Sequence, residues 1–270
     1  MTRPAVLVFA GLDPSGGAGL QADIQAISAL GAHALPVATA LTVQDNNRVF
    51  AVHPVADSLL REQAQPLLDR IDIAAVKVGI AASRANAEAI AGIVRHLRQR
   101  QPELPVVLDP VLASGHGDAL AVGDPVDNLE RLLPLATLVT PNLPEAARLC
   151  AGEPDRTRQA ASLLARGAGH VLLKGGHGDE PGHVLNRWFG PRGDRCWTWP
   201  RLDATFHGSG CTLAAAIAAL LARGMAMEQA LDLGQRYCQE ALAASYAIAP
   251  GQRIPERSPL FPGFQQVAGA

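Results

Sequence analysis

The stretch FHGSGCTLAAA, residues 206–216, places a thiol at the first turn of an alanine-rich helix, directly behind a Gly-Ser-Gly turn. The leading N–H groups of a helix lack internal partners, and the dipole there favours negative charge. Gly208 and Gly210 leave the surroundings of Ser209 bare of side chains, so an anion can rest on those amides. The same field is expected to lower the pKa of Cys211, which suits a base or a nucleophile. Read alone, the motif serves equally well as a tight turn capped by Ser209, with Cys211 a small core residue. It lacks the GxxxxGK spacing of a Walker A loop.

Other reactive residue types recur where apolar runs end. Gln44 closes TALTVQ, and its amide can either pair with the edge of a heterocycle or shape a turn. Asp109 ends VVLDP as a carboxylate at a strand terminus. Asn142 and Glu145 lie three apart in TPNLPEA, so on a helix they share a face and can organise hydrated Mg²⁺ beside a phosphate. They also satisfy the pattern of a capping box, with Pro144 in the first turn. Lys174 ends an apolar run on the same rim and precedes two glycines; from type alone it also reads as a lysine that snorkels to the surface. His116, His177 and His207 border glycine loops and suit loop hydrogen bonding. GAGLQA (17–22) formally meets a dinucleotide fingerprint. The residues from Gly11 to Gly16 separate it from the preceding strand, and the second strand ends in Gln44 rather than an acid, so a nicotinamide site is not expected.

These residues need a frame that brings loop ends together. Short Val/Ile/Leu runs alternate with amphipathic stretches: AVLVFA (5–10), PVATALTV (36–43), AAVKVGI (74–80), PVVLD (105–109), ATLVT (136–140) and GHVLLKG (169–175). That alternation predicts a mostly parallel sheet covered by helices on both faces. VFAVHPV (49–55) reads as an edge strand, and 183–200 as an antiparallel edge hairpin packed by Trp188, Trp197 and Trp199. Helices are expected near 18–30, 57–70, 210–223 and 226–247. The reading is one domain over residues 1–270, with its core over about 5–249 and a loosely packed Pro/Gly/Gln-rich tail from 250 to 270. The polar loops GLDPSGGAG, QDNN, DPVLASGHGD, TPNLPEA and KGGHGD then fall on the rim at the strand carboxyl ends, where open α/β sheets bind ligands.

Composition narrows the class. A formal charge of −2 and 4% aromatics speak against a nucleic-acid surface. The four cysteines are scattered without a CxxC pair, which suits a reducing, cytoplasmic setting, and no apolar stretch reaches membrane-spanning length.

Taken together, AGLDPSGGAGLQADIQAISALGAHALPVATALTVQ (10–44), KVGI (77–80), VLDPVLASG (107–115), TPNLPEA (141–147), LLKGGH (172–177) and HGSGCTL (207–213) resemble the ribokinase superfamily. Within it the chain is similar to the hydroxymethylpyrimidine/phosphomethylpyrimidine kinases of thiamine biosynthesis. The resemblance implies a three-layer α-β-α fold with a mostly parallel central sheet and an antiparallel edge hairpin. It implies ATP and Mg²⁺, a small pyrimidine substrate, and a homodimer. Gly208, Ser209 and Gly210 would form the anion hole, and Cys211 would be the catalytic base. Gln44 would recognise the pyrimidine, with Gly11, Asp23 and Ile80 in its pocket. Asp109, Asn142 and Lys174 would lie on the nucleotide side, and Glu145 with Asn142 would hold Mg²⁺, partly through water. Pyridoxal kinase activity is the nearest alternative, since both substrates are flat heterocycles with a hydroxymethyl group. Three departures stand out: no lysine precedes His207 in RLDATFHGSGC, ASGHGD lacks the lysine or threonine often seen after DPV, and Ile80 replaces a common methionine.

Overall fold

The computed structural model describes residues 2–191 and 193–258. Nine strands form one sheet: β1 (Ala5–Leu12), β2 (His33–Gln44), β3 (Val49–Pro54), β4 (Ile73–Val78), β5 (Val106–Leu108), β6 (Leu138–Val139), β7 (Val171–Leu173), β8 (His183–Gly190) and β9 (Gly193–Pro200). Their spatial order is β3-β2-β1-β4-β5-β6-β7-β8-β9. The run from β2 to β7 is parallel, while β3 and the β8–β9 hairpin join antiparallel at opposite edges. The order reverses next to β1, where the chain leaves β2–β1 and later resumes at β4, which is where such sheets open a crevice.

The apolar runs of the central strands are continuous because both faces are covered. On one face Leu7, Phe9, Val76, Leu108 and Val139 pack against α2 (Asp57–Leu68), α3 (Arg84–Arg100), α4 (Pro125–Glu130), α5 (Leu143–Leu149) and α6 (Arg156–Ala165). On the other, Val6, Val8, Val107 and Leu172 pack against α1 (Gly19–Ala29), α7 (Ser209–Ala222) and α8 (Met227–Ala243). Helix α7 is buried from Thr212 to Leu221, as an all-apolar helix must be, with its N-terminus at the rim. Trp188 and Trp197 join this second core from the hairpin, as anticipated.

The tail departs from expectation. Instead of packing loosely, the segment 250–257 folds back under the first loop, with Ile254 and Arg257 each 2% exposed. Its main chain bridges Phe206 and Tyr246, and Asn46 and Asn47 bond to Pro250 and Gln252. The Pro/Gly composition hid two core side chains and a set of backbone pairings that periodicity does not reveal. Residues 259–270 of that tail lie outside the described residues. Among the described residues, no helix is long and apolar enough to cross a membrane.

Candidate active site

One cavity of about 840 Å³ opens along the rim, and its walls come from the loops following β1, β2, β4, β5, β6 and β7. That size suits a nucleotide and a small substrate together.

The loop after β1 is folded by Asp13, which is buried and accepts the N–H groups of Ser15 (2.8 Å) and Ala18 (2.7 Å). His207 Nε2 bonds the same carboxylate at 2.8 Å, tying this loop to the turn before α7. Burial pushes Asp13 up, but the bonds from His207 and Ser15 outweigh it and hold the carboxyl below its usual value.

Gly208 occupies the N-cap position of α7 at φ +80°, a conformation closed to most side chains. No side chain caps this helix; Ser209 is its first residue, not its cap. The leading N–H groups therefore remain for a ligand in the cavity that Gly208, Ser209, Gly210 and Cys211 all line. A methyl on Gly210 would stand 3.0 Å from Lys174 Nζ, so the bare Cα lets that lysine approach the helix start. Cys211 is half-buried. Contrary to the expectation from its helical position, its thiol is pushed up, because burial and the carboxylates of Asp23 and Asp109 outweigh Lys77 and the Gly19 N–H.

Lys174 Nζ pairs with Asp109 Oδ1 at 2.8 Å and stands 4.0 Å from Glu145 Oε2. Thr140 Oγ1 donates to Asp109 Oδ1 as well. Burial opposes the charge on Asp109, but Lys174 and Lys77 keep its carboxyl below the usual range. Glu145 is pushed up to about 7 by burial, with Asp109 adding to the effect and Lys174 opposing it. Asn142 and Glu145 form the complete capping box of α5, with bonds of 2.9 and 2.7 Å. That arrangement also holds Glu145 beside Asp109 on the cavity wall. Two carboxylates and an amide oxygen are hard donors, too few for an all-protein cage but suited to a cation already carried by phosphates. Among the described residues no group of three or more His, Cys, Asp and Glu could hold a metal ion by itself.

At the other end, Gln44 Nε2 donates to Thr42 Oγ1 at 2.7 Å, and Thr42 Oγ1 donates to the Leu12 carbonyl at 2.8 Å. The Gln44 amide is thereby oriented on the cavity wall. Ile80 packs over the bare Cα of Gly11 at the β1 bulge, and Thr39 Oγ1 holds the Ile80 carbonyl at 2.7 Å. Gly11, Gln44 and Ile80 thus share one pocket end. Asp23 does not reach it. It is fully buried behind the wall and ion-paired at 2.8 Å to Lys77, and it is Lys77 that lines the cavity.

The one sequence signal for Lys77 is a lone lysine inside the apolar strand AAVKVGI. Arg257 was missed altogether, since nothing marks an arginine in a Pro-rich tail as buried. Its guanidinium bonds the Gly17 carbonyl (2.5 Å), Thr212 Oγ1 (2.8 Å) and Gln25 Oε1 (3.2 Å), locking the first loop against α7. Of the three rim histidines, His177 and His207 line the cavity and His116 does not.

The family model described as Phosphomethylpyrimidine kinase matches residues 13–255. The hydroxymethylpyrimidine/phosphomethylpyrimidine kinase of Streptomyces coelicolor is 37% identical over 257 residues, covering 93% of either chain. Among solved structures, the ADP complex of Bacillus subtilis pyridoxal kinase superposes with a TM-score of 0.84 at 25% identity, over 95% of this chain and 98% of that one. Phosphomethylpyrimidine kinase from Clostridium difficile 630 gives 0.74 at 31% identity, over 88% of this chain and 99% of that one. The fold agrees with both structures, and sequence identity favours the pyrimidine kinase. With the family model spanning most of its length, this chain belongs to the phosphomethylpyrimidine kinase family.

Proposed function

We propose that the chain transfers the γ-phosphoryl group of ATP to the hydroxymethyl oxygen of 4-amino-5-hydroxymethyl-2-methylpyrimidine, and then phosphorylates the monophosphate to the diphosphate. The observation that carries this reading is the shared cavity. An uncapped helix start with a thiol stands between a lysine–carboxylate cluster on one side and an oriented glutamine amide on the other.

In the first transfer the hydroxymethyl oxygen attacks the γ-phosphorus, its proton passes to the Cys211 thiolate, and ADP leaves. The N–H groups around Gly208, Ser209 and Gly210 face the charge that spreads over the equatorial oxygens. Lys174 holds the nucleotide phosphates, positioned by Asp109. Gln44 orients the ring, and Ile80, packed on Gly11, gives its flat face an apolar wall. Asp109, Asn142 and Glu145 would share a nucleotide-borne Mg²⁺, which neutralises phosphate charge when bound. The raised Glu145 carboxyl is consistent with an acid that ionises fully once a cation arrives. In the second transfer the acceptor is a phosphate, already ionised, so Cys211 matters less there.

Pyridoxal phosphorylation is a second reading, favoured by the higher TM-score to the Bacillus subtilis pyridoxal kinase. One experiment separates the two. The protein is incubated with ATP, Mg²⁺ and either the pyrimidine or pyridoxal, and the products are resolved into mono- and diphosphates. Pyrimidine mono- and diphosphate are expected. Turnover of pyridoxal with none of the pyrimidine would overturn the assignment.

A further inference from the structure

Arg257, on the C-terminal segment, stands behind the cavity wall yet touches the turn that forms part of it. Main-chain bonds hold the segment there. Arg253 N donates to the Thr205 carbonyl, and the Arg253 carbonyl accepts from His207 N, both at 2.9 Å. The Tyr237 hydroxyl donates to the Arg257 carbonyl at 2.7 Å. The guanidinium then reaches four neutral oxygens. Nη2 donates to the carbonyls of Gly17 (2.5 Å) and His207 (3.5 Å), Nη1 to Gln25 Oε1 (3.2 Å) and Nε to Thr212 Oγ1 (2.8 Å).

These bonds converge on Gly208. Thr212 Oγ1, which accepts from Arg257, donates in turn to the Gly208 carbonyl at 2.8 Å, and the Thr212 N–H meets the same oxygen at 2.9 Å. A methyl on Gly208 would stand 2.1 Å from the Gly17 oxygen and 2.9 Å from Arg257 Nη2, so the backbone lies directly against both. A peptide unit is planar and trans, so its N–H points opposite to its C=O. Holding the carbonyls of His207 and Gly208 therefore fixes the directions of the Gly208 and Ser209 N–H groups. These belong to the helix start that no side chain caps. A turn with glycine on both sides of Ser209 has little stiffness of its own. A guanidinium suits the task of holding it, because its planar fork sets several acceptors in one fixed geometry.

We propose that Arg257 is a positioning residue for phosphotransfer. Through Thr212 Oγ1 and the carbonyls of Gly17 and His207, it holds the Gly208–Ser209 turn in the orientation that receives the transferring phosphoryl group. The identity of that ligand rests on the phosphotransfer reading above; the hold of Arg257 on the turn does not.

The test compares Arg257→Met, Thr212→Val and the double variant at a temperature where circular dichroism shows the native fold. Arg257→Met is expected to lower kcat for the pyrimidine about tenfold, a modest misplacement of reacting groups, with KM for the pyrimidine close to that of the parent. Thr212→Val should lower kcat comparably, and the double variant no further, since both cut one relay. Thr212→Ser should keep the parent rate. Arg253→Met removes bonds from the same segment to Ser245 and should lower the melting temperature while leaving kcat in place. A parent-like kcat in folded Arg257→Met, an equal fall in Arg253→Met, or additive losses in the double variant would each overturn the proposal. Should Arg257→Met not fold, Thr212→Val against Thr212→Ser decides: equal rates in those two overturn it. A second arm needs no acceptor. Calorimetry with Mg²⁺ compares the ATP analogue AMP-PCP with ADP, which lacks the third phosphoryl group. Arg257→Met should weaken AMP-PCP by about tenfold, the scale of one hydrogen bond to a charged group, and leave ADP near its parent affinity. Equal losses for the two nucleotides overturn the proposal. A parent protein that binds AMP-PCP but phosphorylates no pyrimidine would sink the substrate assignment and leave the role of Arg257 standing.

Discussion

The cavity has two lysine–aspartate pairs, Lys174–Asp109 and Lys77–Asp23, each closed by a 2.8 Å bond and each near the carboxyl end of a parallel strand. They differ in what surrounds them. Lys174 keeps 13% of its side chain exposed, with Glu145 4.0 Å away and Thr140 sharing its aspartate. Lys77 is sealed, and its only hydrogen-bond partner among the described residues is Asp23. The first pair is partly exposed, whereas in the second both side chains are fully buried although Lys77 lies along the cavity wall. One chemical unit thus sits in two settings: beside a second carboxylate and partly exposed at Lys174, fully buried with a single carboxylate at Lys77.

The largest effect should fall on the open pair. On the proposed function Lys174→Met would remove a donor to the transferring phosphates, and it is expected to slow both phosphorylations by about 10²–10³-fold, the scale for losing one such group. Steady-state assays with the pyrimidine and with its monophosphate check this. If the first transfer alone fell, the assignment of Lys174 to the phosphates would be lost. Cys211→Ala comes next. It should cost about 10²-fold or more in the first transfer, the range for a positioned base, and only a few-fold in the second. Equal losses in both transfers would remove Cys211 from the base role.

How far these roles were legible follows from where the signals lie. Strand and helix order could be read because each central strand is a short continuous apolar run, and α7 is apolar all round. Residues at loop starts, such as Asp109, Asn142, Glu145 and Lys174, were legible because polar types there interrupt apolar runs. Asn142 and Glu145 form the capping box, and the same arrangement sets the Glu145 carboxyl on the cavity wall. The acidity of Cys211 was misjudged, since spacing reports the helix start but not the burial or the two carboxylates packed against it. Asp23 was assigned to the pocket although it stands one layer behind. Which buried partner an ion pair chooses depends on long-range register, here between α1 and β4. Arg257 was beyond reach for the same reason, since its partners on the first loop lie about the whole chain length away.

Arg257 sharpens the comparison from outside, as a third buried cation that bonds no carboxylate. It bonds two neutral main-chain and side-chain oxygens, from Gly17 and Thr212, together with Gln25. Arg257→Met should destabilise the fold by about 1–3 kcal/mol, the cost of leaving buried acceptors without donors. A urea titration measures this. A change below roughly 0.5 kcal/mol, the usual size of a surface substitution, would mean that the tail does not hold the two loops together.

The smallest effect concerns the hydrogen-bonded pair His207–Asp13, which closes the first loop onto the α7 turn at 2.8 Å. The Asp13 carboxyl lies below its ordinary value in the folded chain despite burial, so the folded state binds its proton less readily than the unfolded chain does. The sign follows from linkage: Asp13 contributes stability that is fully present above about pH 4, and that contribution is lost as pH falls through the folded value. Asp13→Asn removes the titrating group while keeping an oxygen to accept the Ser15 or Ala18 N–H. The variant should melt lower than the parent near neutrality, and the gap should narrow as the pH is taken below about 4. Thermal melts across that range decide the matter. A gap that stays constant with pH would show that Asp13 acts through loop geometry alone and that its charge does not matter.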